Sequence, residues 1–258
     1  MTIKGKALLF GLNYAHCSSG KLNGCINDVK NMASYLQNEL GISSDCYTDD
    51  TSLTDTSGMG IMNHMYRVAM ESWRDNLDFV WIHYSGHGSY MRDTSGDEKD
   101  GRDECLIPSD YETAGVIPDD YINQLFSYFN PATRVICVFD CCHSGTIGDV
   151  KYGWESPTRV IVENILCSVK ARIITFSGCM DTQTSADAFN TLGDNMYGGA
   201  LTGCLLMALR EGGTRYKGDV FGLLQDVRNK LRARGFAQVP KLCSTYNLAK
   251  DRLFIPSV

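Results

Sequence analysis

The sequence predicts a largely parallel α/β sandwich, one central sheet flanked by helices on both faces, and three observations carry that expectation. Four apolar runs rich in β-branched and aromatic residues read as buried strands of one sheet. Amphipathic stretches alternate with them, the order that a parallel sheet requires. The 258 residues, 43% of them apolar, can fill one substantial core and lie near the upper limit for a single one, so one domain spanning 1–258 is expected.

The first run, Lys6 to Phe10, is read as a strand; the apolar part of the start MTIKGKALLFGLNY is too short for a secretory signal. Apolar positions at three- and four-residue spacing predict helices over Asp28 to Leu40 and Gly60 to Arg74. A strand follows at Phe79 to His83, a helix at Asp119 to Phe129, and strands at Arg134 to Phe139 and Arg172 to Phe176. Helices over Gly198 to Arg210 and Val220 to Arg234 complete the pattern. Four polar, Gly-rich interruptions read as mobile loops: Thr48 to Gly60, Ser89 to Asp103, Gly145 to Pro157 and Asp181 to Tyr197. No repeat or low-complexity tract interrupts the chain.

The formal charge of −6 excludes nucleic acid and anionic membrane as main partners and favours cationic ligands. Eleven cysteines, an odd number without the regular spacing of a disulfide scaffold, point to reduced thiols and a cytoplasmic location. No apolar run approaches the roughly 20 residues that span a bilayer.

In open parallel sheets the ligand crevice lies beyond the carboxyl ends of the strands, and two such ends carry reactive groups. FVWIHYSGHG ends in Ser85-Gly86-His87-Gly88, where glycines leave an imidazole at the rim, suited to a base. VICVFDCCHSG ends in Asp140-Cys141-Cys142-His143, a thiol beside polar residues. A nucleophilic Cys needs a base to take its proton, and that base need not be close in sequence. His87 lies 55 positions upstream, the His-before-Cys spacing of caspases, although the QACRG signature is absent. Side chains alternate along a strand, so Cys142 shares a side with Asp140 and Cys141 packs inward.

Taken together, HYSGHG and DCCHSG resemble the signatures of the metacaspases. LNGCINDV, GDEKDGRDECLIPSD and FSGCMDTQTSAD extend the resemblance over nearly the whole chain, in the family's order. It implies a caspase-like fold, with a large-subunit-like portion over 1–150, a connecting loop at 145–164 and a small-subunit-like portion over 165–258. This order resembles the type I arrangement, although the Pro- or Gln-rich N-terminal extension common there is missing from the sequence.

The resemblance implies a cysteine endopeptidase with His87 and Cys142 as the catalytic pair and the backbone N–H groups of Gly88 and Cys142 as oxyanion donors. Cys25, Asp28, Ser85 and Asp140 would line the primary pocket, whose two acids select Arg or Lys before the scissile bond. Read alone, Asp28 could equally serve as a helix N-terminal charge. The resemblance further implies Ca²⁺ as cofactor, bound where Asp103, Asp119, Asp120 and Asp149 converge. An EF-hand over Asp93 to Glu104 is excluded, because Glu98 stands where that loop needs Gly. The expected partners are protein or peptide substrates, and the expected state is a monomer.

Two competing readings remain at this point. His83 and His87 have the i, i+4 spacing of a zinc hydrolase, but the Glu of HExxH is missing and i, i+4 residues on a strand do not converge. A non-catalytic, calcium-responsive interaction module on the same fold is the second. Self-cleavage, if it occurs, is expected after Lys151 or Arg159 in the polar connection.

Overall fold

The computed structural model describes residues 3–92, 102–142, 145–178, 187–189, 192 and 196–255. Its elements run β1 (Gly5–Gly11), α1 (Cys25–Leu40), β2 (Ser44–Thr48), α2 (Gly58–Arg74), β3 (Phe79–Ser85), β4 (Gly88–Arg92) and β5 (Arg102–Leu106). There follow α3 (Tyr111–Ala114), β6 (Ile117–Pro118), α4 (Asp119–Phe126), β7 (Arg134–Asp140), β8 (Tyr152–Ser156), β9 (Arg159–Val162) and β10 (Arg172–Ser177). The chain ends with β11 (Asp187–Phe189), β12 (Tyr197–Gly199), α5 (Ala200–Gly212), α6 (Val220–Ala233) and β13 (Lys241–Ser244).

Eight strands form the central sheet in the order β2-β1-β3-β7-β10-β13-β8-β9. The first five are mutually parallel, and β13, β8 and β9 add on antiparallel. Every residue of β3 and β7 is buried, because helices cover both faces of a sheet made by parallel crossovers. The period-2 alternation sorts β1 cleanly. Ala7 and Leu9 join one core with Val29 and Met32 of α1 and the apolar faces of α5 and α6. Leu8 and Phe10 join the other with Ile61, Met65 and Val68 of α2 and Ile122 and Phe126 of α4.

Within the expected connecting loop at 145–164, Tyr152 to Val162 form a hairpin. Gly153 and Pro157 look like loop punctuation, yet Gly153 lies inside β8, opposite Ile161, and Pro157 stands in the turn between β8 and β9. Lys151 lies just before β8 and accepts a hydrogen bond from Glu163 N at 3.0 Å, and Arg159 opens β9, so both expected self-cleavage positions sit at or beside the hairpin ladder. The more exposed stretch lies beyond, where Ile165 and Leu166 are 78% and 75% accessible.

At the amino-terminal end of the sheet, buried Arg134 donates to Asp251 Oδ2 at 2.8 Å, to Leu253 O at 2.6 Å and to Tyr246 Oη, and Arg172 joins the same carboxylate. Removing one partner of such a buried pair typically costs about 3–5 kcal/mol, since a charge is left uncompensated. Among the described residues, no helix is long and apolar enough to cross a membrane.

Candidate active site

The registers Gly11↔Ser85, Ser85↔Asp140 and Phe139↔Ser177 align the carboxyl ends of β1, β3, β7 and β10 along one rim. His87 follows β3 by two residues and Cys142 follows β7 by two, so the two turns leave adjacent strands from paired positions. They touch: a Cβ built on Gly88 would lie 2.1 Å from Cys142 O and 3.1 Å from Cys141 Sγ. Only glycine permits that approach. Cys141 is fully buried and Cys142 partly exposed, as the pleat argument expects. His143 lies outside the described residues, as do 96–101 and 179–186 of the family-like segments.

The imidazole of His87 is held by the loop after β1. Its Nε2 is 2.6 Å from Gly20 O. A carbonyl only accepts, so Nε2 carries the proton and, in the neutral ring, Nδ1 carries the lone pair. The arrangement thus leaves Nδ1 as the basic atom. The loop itself is fastened by buried Asp49, whose carboxylate accepts from Asn13 N at 3.0 Å and Tyr14 N at 2.6 Å. Asn13 Oδ1 in turn accepts from Cys25 N, capping the first turn of α1 from outside.

α1 begins at Cys25, three residues earlier than expected, and the Asp28 carboxylate is not spent on capping. It accepts from Ser85 Oγ at 2.6 Å and from Gly199 N at 2.9 Å. Asp140 accepts from Thr202 N and Oγ1, both at 2.8 Å. A Cβ on Gly199 would lie 2.1 Å from Asp140 Oδ2 and 2.8 Å from Asp28 Oδ2, so both acids lie within 3 Å of one point. Asp28, Ser85 and Asp140 are therefore brought together, all buried, with buried Cys25 one helical turn before Asp28. Two carboxylates at such separation create a strongly negative locus. The β12 segment covers it, with Asn27 Nδ2 donating to Tyr197 O at 2.9 Å.

Behind this pair sits His83, fully buried, its Nε2 3.4 Å from Thr202 Oγ1 and its Nδ1 without a hydrogen-bond partner among the described residues. Burial pulls its pKa down to about 3. The unfolded chain takes up a proton near the ordinary histidine value of about 6.5, and the folded chain refuses it until about pH 3. Stability present above pH 6.5 is therefore lost as pH falls, by about 2 kcal/mol at pH 5. Urea titrations from pH 7 to 5 should show this slope, and His83→Gln should flatten it; an equally steep slope in that variant assigns the loss to other groups.

Of the four aspartates expected to hold an ion, Asp103, Asp119 and Asp149 are buried and Asp120 is exposed on α4. Asp103 and Asp119 share a neighbourhood with Glu104 around Cys105: burial pushes that thiol up to about 11, and the three negative charges add to the shift. Asp149, with φ at 44°, approaches α4 through Asn123, whose amide donates to Gly148 O and Asp149 O at 2.8 and 2.9 Å. Among the described residues no three His, Cys, Asp or Glu side chains converge closely enough to hold a metal ion. The donor chemistry suits a hard cation such as Ca²⁺; the spacing does not assemble the four around one point.

Sequence reading missed Tyr14, Gly20, Tyr84, Gly199 and Thr202. The rim rule that singled out His87 and Cys142 also applies to Asn13-Tyr14, directly beyond β1, and could have flagged Tyr14. Gly20, Gly199 and Thr202 reach the site only through the tertiary fold.

A family model for the metacaspase, peptidase C14 domain matches residues 5–151. Metacaspase-2 of Trypanosoma brucei brucei is 33% identical over 96% of this chain and 75% of its own length. Metacaspase-1 of Ajellomyces capsulatus is 30% identical over 98% of this chain and 83% of its own. The crystal structure of protein GSU0716 from Geobacter sulfurreducens superposes with a TM-score of 0.66 at 27% identity, covering 93% of each chain.

Proposed function

This chain belongs to the metacaspase family and is a cysteine peptidase, and from that premise we propose that it is an endopeptidase cleaving after Arg or Lys, with His87 as base and Cys142 as nucleophile. The observation that carries the proposal is the contact between the two strand-end turns, where Gly88 lies against Cys142 O.

In the proposed reaction, His87 Nδ1 takes the thiol proton while Gly20 O holds the Nε2 proton. Cys142 Sγ attacks the scissile carbonyl, and the N–H groups of Gly88 and Cys142 stabilise the oxyanion. The imidazolium then protonates the leaving amine, a thioester remains, and water activated by the same imidazole releases the acid. Asp28 and Asp140 provide the charge for a guanidinium or ammonium, and Arg's planar fork can engage both at once.

Calcium is the proposed regulator; Asp103, Asp119, Asp120 and Asp149 would hold it once their loops drew closer than they lie in this structure. Bound there, it would neutralise carboxylates that otherwise repel one another. The support is the burial of three of these acids and the position of Asp149 on the connection that follows Cys142. Asp149 thereby offers a route from ion binding to the cleft.

A positional library of reporter peptides, assayed with and without chelator, tests both parts. Cleavage is expected after Arg and Lys and not after Asp. Chelation is expected to lower turnover about 5- to 150-fold, the usual range of coupling between sites, without rescue by Mg²⁺. Asp149→Ala should remain folded and lose the stimulation. Undiminished activity in excess chelator would remove calcium from the proposal while leaving the His87–Cys142 chemistry in place.

A further inference from the structure

We infer that Tyr14 is a positioning residue for His87, fixing the imidazole through its phenol and its ring; the inference rests on the reading of His87 as the base. Three contacts converge. Tyr14 Oη accepts the main-chain N–H of His87 at 2.8 Å. The two rings pack at 4.8 Å between centroids and 33° between planes. The phenol then donates to Ile107 O at 2.7 Å, and Ile107 N donates back to His87 O at 3.1 Å, closing a ring of hydrogen bonds around the base.

Tyr84 completes the grip from the other side. Its Oη lies 3.1 Å from Tyr14 Oη, 2.9 Å from His87 O and 2.8 Å from Ile107 O. Both polar groups of the His87 backbone are thus held by buried phenols. Burial keeps both hydroxyls protonated, raising them well above the ordinary tyrosine value.

Tyr14 is itself held under strain, which argues that its position is specified rather than incidental. Its φ is 54°, a region that bulky side chains rarely occupy. Asp49 holds it there by accepting the N–H groups of Asn13 and Tyr14. The same loop delivers Gly20 O to His87 Nε2, so one segment sets the imidazole by its ring face, its backbone and its outer nitrogen. These contacts of Tyr14 fall on His87, the group that moves the proton, so the effect is expected on the chemical step.

Tyr14→Phe keeps the ring packing and removes the acceptor for His87 N–H. The expected result is kcat lower by about 10- to 100-fold, the scale for a reacting group displaced by a fraction of an ångström to 1 Å, with KM for an Arg reporter within about twofold of wild type. Alkylation of Cys142 by iodoacetamide should slow in parallel. Wild-type kcat per folded molecule in Tyr14→Phe, beside a dead His87→Ala, overturns the inference and leaves the base assignment standing. An active His87→Ala overturns both. Should Tyr14→Phe not fold, Tyr84→Phe provides the reading through the other backbone group, and a wild-type kcat there overturns the inference.

Discussion

Cys142→Ala abolishes peptide-bond cleavage while Cys141→Ala retains most of it: this is the largest effect expected of any single substitution here. Without the thiol no thioester forms, and the loss should reach on the order of 10³-fold or more. Cys141 Sγ is fully buried, on the core side beside Tyr14 and Tyr84, and cannot reach a substrate carbonyl on the rim. Its truncation removes one small buried group and should lower stability by about 1 kcal/mol without touching the chemical step. Reporter turnover by the two variants, each checked for folding, decides the matter. An active Cys142→Ala beside a dead Cys141→Ala reverses the assignment.

The second large effect is on specificity. Asp140→Asn and Asp28→Asn should each lower kcat/KM for Arg reporters by roughly 30-fold to several thousand-fold, because removing one charge from a buried ion pair costs about 2–5 kcal/mol. Asparagine keeps an acceptor for the Thr202 donors and for Gly199 N, so the local fold survives while the charge goes. The expected signature is a loss confined to cationic substrates. Unchanged Arg cleavage in both variants, or efficient wild-type cleavage after Asp, would contradict the two-acid pocket.

The strands that the sequence made legible are the interior ones, β1, β3, β7 and β10, whose apolar runs reflect burial on both faces. β2 and β13 went unread for the complementary reason: SDCYT and KLCS are short and partly polar, and their pairing depends on neighbours distant in sequence. β8 and β9 were hidden behind Gly153 and Pro157, which serve a hairpin here rather than a loop. Helices α1, α2, α4, α5 and α6 were found to within three residues at each end, whereas α3, a single turn over Tyr111–Ala114, went unread because four residues are too few to show a 3.6-residue period.

The same division runs through the site. His87 and Cys142 stood out because each ends an apolar run at a glycine-flanked turn, a local pattern. Gly20, Gly199 and Thr202 act through one backbone or hydroxyl group each, and no residue type advertises a carbonyl aimed at an imidazole. They became visible only when the loop after β1 and the β12 segment were folded back over the rim.

The strand order also governs what a nick in the chain would do. A cut in the exposed stretch after β9 would yield an amino-terminal piece holding β1 to β9 and a carboxy-terminal piece holding β10 to β13. In the sheet, however, β10 and β13 lie between β7 and β8, so the second piece is hydrogen-bonded to the first along both of its flanks. The pieces are interleaved, and separating them means breaking two ladders and opening the core between them. Scission would therefore relax the ends of the chain without dismantling the molecule, leaving Asp28, Asp140 and the Gly199 to Thr202 segment in the same assembly although they no longer share a backbone.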